Sequence, residues 1–303
     1  MDVSVIAGFI AVVEGGSVHA AARQLRISQP TLSRRLQRLE AELGFRLFIR
    51  TGRRLVLTEA GIRLLPELRE HLEGLQQAFV KAREEMFYGL PTTTLCCLPS
   101  VATTALPAVL KTYLRRRPQA RLRLLDLSAI EITRLVAAGS ADFGVNILGD
   151  ETPGLVQEVI GEDRMVLVTS LTHPLAERTT LPWSALEGTP LIAIGTMSGN
   201  RRMLDSVRAR IGVGLNWQHE VQHIATAVQL AADDVAPTIV PQLAVVGRRE
   251  GVRCIPLVDP PLMRRIGIQR RQGEALSAEA EALRRAVLTG LRRLLAGAAT
   301  AAG

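Results

Sequence analysis

The stretch that decides the fold is residues 17–44, SVHAAARQLRISQPTLSRRLQRLEAELG. Ser17 is typical of a helix N-cap, and the small residues of Ala20–Ala22 let a second helix approach the first closely. A short break follows. Ser28 and Pro30 then supply a second cap and a proline in the first helical turn, where its missing N–H costs nothing. We therefore predict two helices joined by a tight turn, the arrangement called a helix-turn-helix.

The second of these helices has two different faces. Its leucines recur at helical spacing from Leu32 to Leu43 and predict a buried stripe, and Gly44 ends the helix. The opposite face is rich in Gln, Ser, Thr and Arg, whose side chains pair with adenine, guanine or phosphate in a DNA major groove. The predicted DNA-contacting residues of this segment are Ser28, Gln29, Pro30, Thr31, Ser33, Arg34, Arg35 and Arg38.

Two short apolar segments, Leu47-Phe48 and Leu55–Leu57, follow this helix and flank a basic turn. They predict two strands that form the wing of a winged helix-turn-helix, with arginines that reach phosphates or the minor groove. These arginines are Arg50, Arg53 and Arg54. Residues 1–58 carry nine arginines against four acidic residues, an excess that favours a nucleic-acid partner. The alternative reading of this pattern is a solvated basic face on an ordinary helical domain.

Apolar residues beyond Thr58 step alternately by three and four positions, which is the heptad pattern of a coiled coil. A helix over residues 59–87 would be about 43 Å long, and we expect Pro66 to bend it near its start. A seam of this length favours pairing with a second copy of the chain, which would place two recognition helices on two half-sites. The alternative is that the seam packs on the chain's own body. The predicted seam consists of Leu65, Leu68, Leu72, Leu75, Phe79, Ala82 and Met86.

Strand-like and helix-like segments alternate in two sets over residues 91–296. This order predicts two open α/β lobes built on mostly parallel strands, with lobe one at about 91–161 and 268–296 and lobe two at about 162–267. We expect the tail at 297–303 to be disordered. A ligand of such a fold binds in the cleft between the lobes, beyond the carboxyl ends of the strands.

Hydroxyl side chains stand at several predicted strand ends, where helix N-termini offer free N–H groups to an anion. The candidate effector-binding residues are Ser100, Ser128, Thr196, Ser198 and Thr226. Two or more such N-termini facing one cleft would favour a small carboxylate effector, and Arg201 and Arg202 would add positive charge. The alternative is that Ser128 and Ser198 are helix caps only and that both arginines are solvated.

The composition excludes several classes of protein. A length of 303 residues suggests two or three domains, and 47% hydrophobic against 22% charged residues allows a substantial core. Three cysteines are too few for a disulfide scaffold; Cys96 and Cys97 are adjacent, and Cys254 is remote. The sequence starts without a basic and apolar leader, and no stretch approaches the roughly 20 apolar residues of a membrane span. We therefore expect a cytoplasmic protein with reduced thiols and no membrane partner.

One motif points to a different function. His219, Glu220 and His223 match H-E-x-x-H, in which two histidines on one face of a helix bind zinc and the glutamate acts as a base. Because residues 217–221 are predicted as a strand, a zinc hydrolase is only a remote alternative, and we predict neither enzyme activity nor a metal site. The sequence contains no nucleotide-binding fingerprint and no paired Cys-x-x-Cys, so we predict no cofactor.

Several segments of the chain together resemble the LysR-type transcriptional regulators. The N-terminal matches are nearly ungapped over about sixty residues. In this part they are residues 17–22, Leu25, 28–34, 39–44, 47–50 and 57–61; in the larger region they are Leu98–Ser100, Leu106-Pro107, Gly139–Asp142, His173–Ala176 and Ile239–Pro241. The resemblance extends from residue 2 to about residue 295.

The resemblance implies a winged helix-turn-helix domain at 1–58, a linker and dimerisation helix at 59–88, and a two-lobed effector-binding domain at 91–296, similar to periplasmic binding proteins. It implies that the chain binds double-stranded DNA, a small-molecule effector and a second copy of itself, and that it assembles into tetramers. RNA polymerase is a further candidate partner. The strand-end residues named above would line the effector cleft. The alternative function is a constitutive, architectural DNA-binding protein with a vestigial cleft.

Besides His19-Ala20 in the N-terminal part, two places in the larger region depart from the family pattern. Asp233–Pro237 stands where the family usually has a glycine before the last strand of lobe two, and Cys96 stands near a usual glycine of the first strand. Cys96 and Cys97 would narrow the cleft or react with an oxidant, or they are buried small hydrophobic residues, which is common for cysteine.

Overall fold

A computed structural model divides the chain into two compact units, Met1–Met86 and Phe87–Gly303, which we call the N-terminal and the C-terminal unit. The described residues are 2–51, 54–88, 92–195, 199–247 and 251–300.

The N-terminal unit contains three short helices, a two-stranded hairpin and one long helix. These are α1 (Val3–Gly15), α2 (Val18–Gln24), α3 (Gln29–Leu43), β1 (Phe48–Thr51), β2 (Arg54–Leu57) and α4 (Glu59–Tyr88). Phe9, Leu32 and Leu47 are fully buried at its centre. Strands β1 and β2 pair in antiparallel register, with Phe48 opposite Leu57. The predicted helix-turn-helix and hairpin are confirmed.

Gly61, in the first turn of α4, lies where the long helix leaves the hairpin. A Cβ atom at this position would stand 2.5 Å from the carbonyl oxygen of Leu47, so the close approach requires a glycine. The hydroxyl of Thr58 accepts the N–H of Gly61 at 3.0 Å and donates to the carbonyl of Arg46 at 2.8 Å. These contacts fix the start of α4 against the segment that leads into β1.

The C-terminal unit alternates strands and helices. Its elements are β3 (Thr92–Cys97), α5 (Pro99–Thr104), α6 (Leu106–Arg116), β4 (Arg121–Asp126), α7 (Ala129–Ala137), β5 (Phe143–Ile147), β6 (Leu155–Ser170), β7 (Leu181–Pro182), β8 (Pro190–Ile194), α8 (Gly199–Ile211), β9 (Asn216–Val221), α9 (Ile224–Ala232), β10 (Thr238–Pro241), β11 (Val252–Val258), β12 (Met263–Arg271) and α10 (Ala278–Thr300).

The strands of this unit form one continuous hydrogen-bonded path in the order β4-β3-β5-β12-β6-β10-β8-β9. At one end β3, β4 and β5 are parallel, and at the other end β8 is parallel to both β9 and β10. The long strands β6 and β12 are antiparallel to each other and connect the two ends. Strand β11 pairs with β6 and β7.

The unit has two lobes with separate hydrophobic cores. Lobe one surrounds β3–β5 and includes α5–α7 and α10, with Phe143 and Leu291 among its fully buried residues. Lobe two contains β7–β11, α8 and α9, with Trp183 and Val240 in its cores. Leu243 follows β10 of lobe two, yet its side chain packs in the core of lobe one. The predicted two-lobed α/β fold is confirmed.

Strands β6 and β12 are longer than the sequence indicated. The apolar runs of the sequence predict strands at 165–169 and 267–269, whereas the observed strands begin at Leu155 and Met263. Charged residues interrupt the apolar pattern of both strands, and the sequence alone does not show that two of them, Asp163 and Arg264, are buried as a pair. Strands β7 and β11 were not predicted.

Two helix predictions also need correction. The sequence predicts a single helix over 102–116 that stops before Pro118. The structure divides it into α5 and α6, because Pro107 near the start of α6 has no N–H to continue the hydrogen-bond ladder. The tail predicted to be disordered is helical as far as Thr300, since α10 continues beyond Leu295. Residues 301–303 lie outside the described residues.

The segment Asp233–Pro237 stands before β10, where the family usually has a glycine, and one of its residues adopts the backbone conformation that glycine favours. Asp234 has a φ of +61°, a left-handed conformation that aspartate tolerates better than most residues. Its carboxylate accepts a hydrogen bond of 2.5 Å from the hydroxyl of Ser170 at the end of β6. This contact stabilises a turn that the family usually makes with glycine.

Among the described residues, no single helix is long and apolar enough to cross a membrane. The pair Val3–Gly15 and Val18–Gln24, bent by 120° at its break, reaches that threshold only when the two helices are counted together.

Candidate functional site

The polar face of α3 is open to solvent. Ser28 caps the helix: its Oγ accepts the N–H of Thr31 at 3.3 Å and lies 2.7 Å from Thr31 Oγ1. Six of the predicted DNA-contacting residues are exposed, and two on the same helix, Ser33 and Arg35, are half-buried. The exposed ones are Ser28, Gln29, Pro30, Thr31, Arg34 and Arg38. The helix therefore presents hydrogen-bonding side chains at its first two turns, where recognition helices contact bases.

One carboxylate joins this helix to the wing. Glu40 Oε1, on the buried side of α3, accepts the backbone N–H groups of Leu47 at 2.7 Å and Phe48 at 3.1 Å. In the sequence Glu40 is only one of the four acidic residues of 1–58, whereas in the structure it positions the hairpin. Arg53 lies outside the described residues, and Arg50 and Arg54 are described only in their backbone.

The two halves of the predicted α4 seam have different surroundings. Leu68 is 8% exposed and belongs to the core of the N-terminal unit, and Leu65 and Leu72 pack against that core. For this half, the chain's own body supplies the packing partner. Beyond it Leu75 is 39%, Phe79 69% and Met86 89% exposed, and Ala82 is exposed as well. Among the described residues of the seam, the exposed ones therefore belong to its second half.

Of the predicted effector-binding residues, Ser100 lies at the junction of the two lobes. It stands in the first turn of α5 and is 1% exposed. Its Oγ accepts a hydrogen bond of 2.7 Å from Nη2 of Arg264, which lies in β12. Close by, the Thr104 hydroxyl of lobe one donates to the carbonyl of Leu243 at 2.6 Å. This part of the cleft is therefore closed by contacts within the chain.

Arg264 is the centre of a buried polar cluster. Its Nε and Nη2 donate to Oδ2 of Asp163 at 2.8 and 2.6 Å, and both side chains are 1% exposed. Its Nη1 donates to Oδ1 of Asn200, in the first turn of α8, at 3.1 Å. Burial lowers the pKa of Arg264, and the neighbouring Asp163 carboxylate opposes that shift. A buried charge is stable only when it is paired, so this cluster depends on both partners.

The two other effector candidates that the structure describes, Ser128 and Thr226, do not join this cluster. Ser128 forms a reciprocal capping box with Glu131, whose carboxylate accepts the Ser128 hydroxyl at 2.6 Å. Thr226 is exposed on α9. Arg201 donates to Asp205 at 3.1 Å and lies over the ring of Trp217, 4.8 Å from its centroid. Arg202 is exposed, and Thr196 and Ser198 lie outside the described residues.

The two adjacent cysteines are buried in lobe one. Cys96 and Cys97 are both fully buried in β3. Burial raises the pKa of the Cys96 thiol from 9.0 to about 12. Burial also raises the pKa of Cys97, and the nearby Asp126 carboxylate raises it further. Both residues therefore fit the interpretation as small hydrophobic core residues, because the reactive species is the thiolate.

The H-E-x-x-H match does not form a zinc site. His219 and Glu220 are neighbours in strand β9, so their side chains leave opposite faces, and His223 stands before α9. Among the described residues, no three His, Cys, Asp or Glu side chains are placed to hold a metal ion. These residues therefore lack the helical arrangement that zinc hydrolysis requires, and the zinc-hydrolase alternative is wrong.

Comparison with known families decides the identity. Residues 91–292 match the LysR substrate binding domain, and residues 5–62 match the bacterial regulatory helix-turn-helix protein of the lysR family. The chain belongs to the LysR family. It is a LysR-type DNA-binding transcription regulator with an effector-binding domain, and not an enzyme.

Individual relatives agree with this assignment. The uncharacterized HTH-type transcriptional regulator YbhD of Escherichia coli is 31% identical over 92% of this chain and 89% of its own length. A probable hydrogen peroxide-inducible genes activator of Mycobacterium leprae is 30% identical over 89% of this chain and 88% of its own. The crystal structure of CbnR, a LysR family transcriptional regulator, has the same fold, with a TM-score of 0.66 at 21% identity over 96% of this chain and 99% of that one.

Sequence reasoning found Ser100 but missed the residues that surround it. Asp163 and Arg264 are direct register partners in the antiparallel pair of β6 and β12. The sequence signal for this pair is an acidic residue on one strand opposite a basic residue on the next. That signal can be used only when the register of the two strands is known, and the sequence does not give the register. Asn200 and Leu243 reach the cluster from lobe two and had no local signal.

Proposed function

We propose that this LysR-family chain acts as a dimer that binds a partly two-fold DNA site and changes the placement of its DNA-binding units when a small molecule binds between its lobes. The exposed polar face of α3 carries the DNA-binding part of the proposal. The exposed side chains of Leu75, Phe79 and Met86 on α4 support pairing with a second copy. A dimer fits two half-sites because its symmetry matches that of a palindromic operator.

The effector part of the proposal rests on the connection between the lobes. Strands β6 and β12 connect the two cores, with a register shift between Ile266 and Gly267, so small rotations of the lobes are expected to occur about this pair. The proposed boundaries lie near residues 161/162 and 267/268. Assembly into tetramers, location in the cytoplasm and contact with RNA polymerase are parts of the same proposal.

One observation favours a second candidate function. Ser100, the residue we expected to meet an effector, is already held by Arg264, and Thr104 already bonds Leu243 across the lobes. A chain whose cleft is closed in this way could bind DNA constitutively. The second candidate is therefore an architectural DNA-binding protein with a vestigial cleft.

A ligand titration separates the two candidates. Purified protein bound to its own promoter DNA would be screened against metabolites, with DNA affinity and DNA bending as readouts. A ligand that changes either readout supports the regulator, and Ser100→Ala should abolish the change while leaving DNA binding intact. Ser128→Ala, which removes only a helix cap, is the matched control. Absence of any ligand effect would favour the architectural protein, and an intact response in Ser100→Ala would contradict the role of Ser100.

A further inference from the structure

The carboxylate of Asp163 is bound as anions are bound in protein sites. Two nitrogens of the Arg264 guanidinium donate to its Oδ2, at 2.8 and 2.6 Å. The backbone N–H of Leu243 donates to its Oδ1 at 3.0 Å. A guanidinium fork together with a backbone N–H is the arrangement that recognises a free carboxylate, and here the carboxylate belongs to the chain itself.

The charge at this position is already balanced. Arg264 and Asp163 supply one positive and one negative charge, and the two other hydrogen-bond partners of Arg264 among the described residues, Ser100 and Asn200, are neutral. A ligand carboxylate brought to Ser100 would be a second anion beside a single buried cation. Removing that anion from water would cost free energy that no further charge among the described residues of the cluster would offset.

The hydrogen bonding of the Ser100 hydroxyl indicates which chemical group of a ligand would bind to it. Its oxygen accepts from Arg264, and among the described residues nothing accepts its proton. The hydroxyl can therefore donate one hydrogen bond to a ligand oxygen. A carbonyl, amide or hydroxyl oxygen accepts such a bond without adding charge to the buried cluster.

We propose that Asp163 occupies the anion position of the cleft, and that the effector therefore presents an uncharged hydrogen-bond acceptor, not a carboxylate, to Ser100. This inference rests on the proposed effector function for its second half only. The first half, that the junction is an anion site filled by Asp163, stands on the contacts of the chain alone.

Chemical rescue tests the first half. Asp163→Ala removes the carboxylate and leaves a space of about its size beside Arg264. The melting temperature of this variant should fall, and sodium formate should restore part of the loss, whereas sodium chloride at the same ionic strength should restore less. The wild type should show no formate-specific rise. Asp163→Ala combined with Arg264→Met is the matched control and should not respond to formate. A folded Asp163→Ala that gains nothing specific from formate would overturn the inference.

Matched ligand pairs test the second half and remain informative if Asp163→Ala does not fold. Wild-type protein would be titrated with acetate against acetamide, benzoate against benzamide and succinate against succinamide, and compared with Ser100→Ala by thermal shift. No carboxylate should raise the melting temperature of the wild type by more than it raises that of Ser100→Ala. A carboxylate that stabilises the wild type and loses its effect in Ser100→Ala would overturn the inference. Failure of the proposed regulatory function would appear instead as ligand-independent DNA binding, with formate rescue still observed.

Discussion

Glu40 on the recognition helix accepts the backbone N–H of Leu47 at 2.7 Å, immediately before the wing begins. The same oxygen also accepts the N–H of Phe48. A side chain in α3 thus sets the position of the hairpin, so the two elements that we propose to contact DNA are joined by direct hydrogen bonds.

Replacing Glu40 should weaken both stability and DNA binding. Hydrogen bonds to a charged group contribute about 1.5–3 kcal/mol, so we expect Glu40→Ala to lower the free energy of unfolding by about 2 kcal/mol, measured in urea. Glu42→Ala is the control, because Glu42 only pairs with exposed Arg38 and such pairs contribute about 0–1 kcal/mol. Equal stability of the two variants would show that Glu40 does not hold the wing.

Arg34 and Arg53 should contribute to DNA binding in different ways. Arg34 is exposed on α3, and Arg34→Ala should weaken binding to the specific site by about 1–3 kcal/mol with little effect on scrambled DNA. Arg53 belongs to the basic turn of the wing by sequence, and Arg53→Ala should weaken binding to all DNA and reduce the salt slope by about one. Equal losses on matched and scrambled duplexes for both variants would contradict these roles.

The exposed half of the α4 seam should control pairing of the chain. Phe79→Glu together with Met86→Glu places charge on an apolar face and should shift the sedimentation coefficient toward that of a monomer, with weaker binding to a two-half-site DNA. Gln77→Glu, which the heptad spacing places away from the seam, is the control. Leu68→Glu should instead unfold the N-terminal unit, since Leu68 lies in its core. A dimer that survives the double change would mean that pairing uses another surface.

Cys96 and Cys97 should be unreactive in the folded protein. Because the pKa of Cys96 is raised to about 12, about one Cys96 side chain in ten thousand is a thiolate at pH 8. The pKa of Cys97 is raised as well. A thiol reagent should therefore label half-buried Cys254 first, and the other two only after unfolding. Hydrogen peroxide should leave DNA affinity unchanged. A peroxide response that Cys96→Ser abolishes would contradict the interpretation of Cys96 as an unreactive core residue.

The sequence was most informative where structure is local. Capping serines, first-turn Pro30 and the terminating Gly44 predicted α2 and α3 to within a residue or two, because each acts on its own helix end. The apolar repeat likewise predicted α4. The repeat could not show that the first half of the seam is buried and the second half exposed, because burial of Leu68 or Phe79 depends on the position of the neighbouring helices.

Prediction failed where burial depends on distant partners. Asp163 and Arg264 look like surface residues in the sequence, yet they are buried because β6 and β12 place them opposite each other. For the same reason, the sequence could not show which predicted effector residues meet at the junction of the lobes. Ser100 and Ser128 occupy equivalent strand ends, but one is bonded to Arg264 across the junction and the other caps its own helix.

The most direct test of sequence-specific regulation is to map where the purified protein binds on its own genome at physiological salt. We expect a few sharp, partly palindromic sites, and Arg34→Ala should lose them while keeping general affinity for DNA. Broad coverage without sequence preference, unchanged in Arg34→Ala, would contradict a sequence-specific regulator.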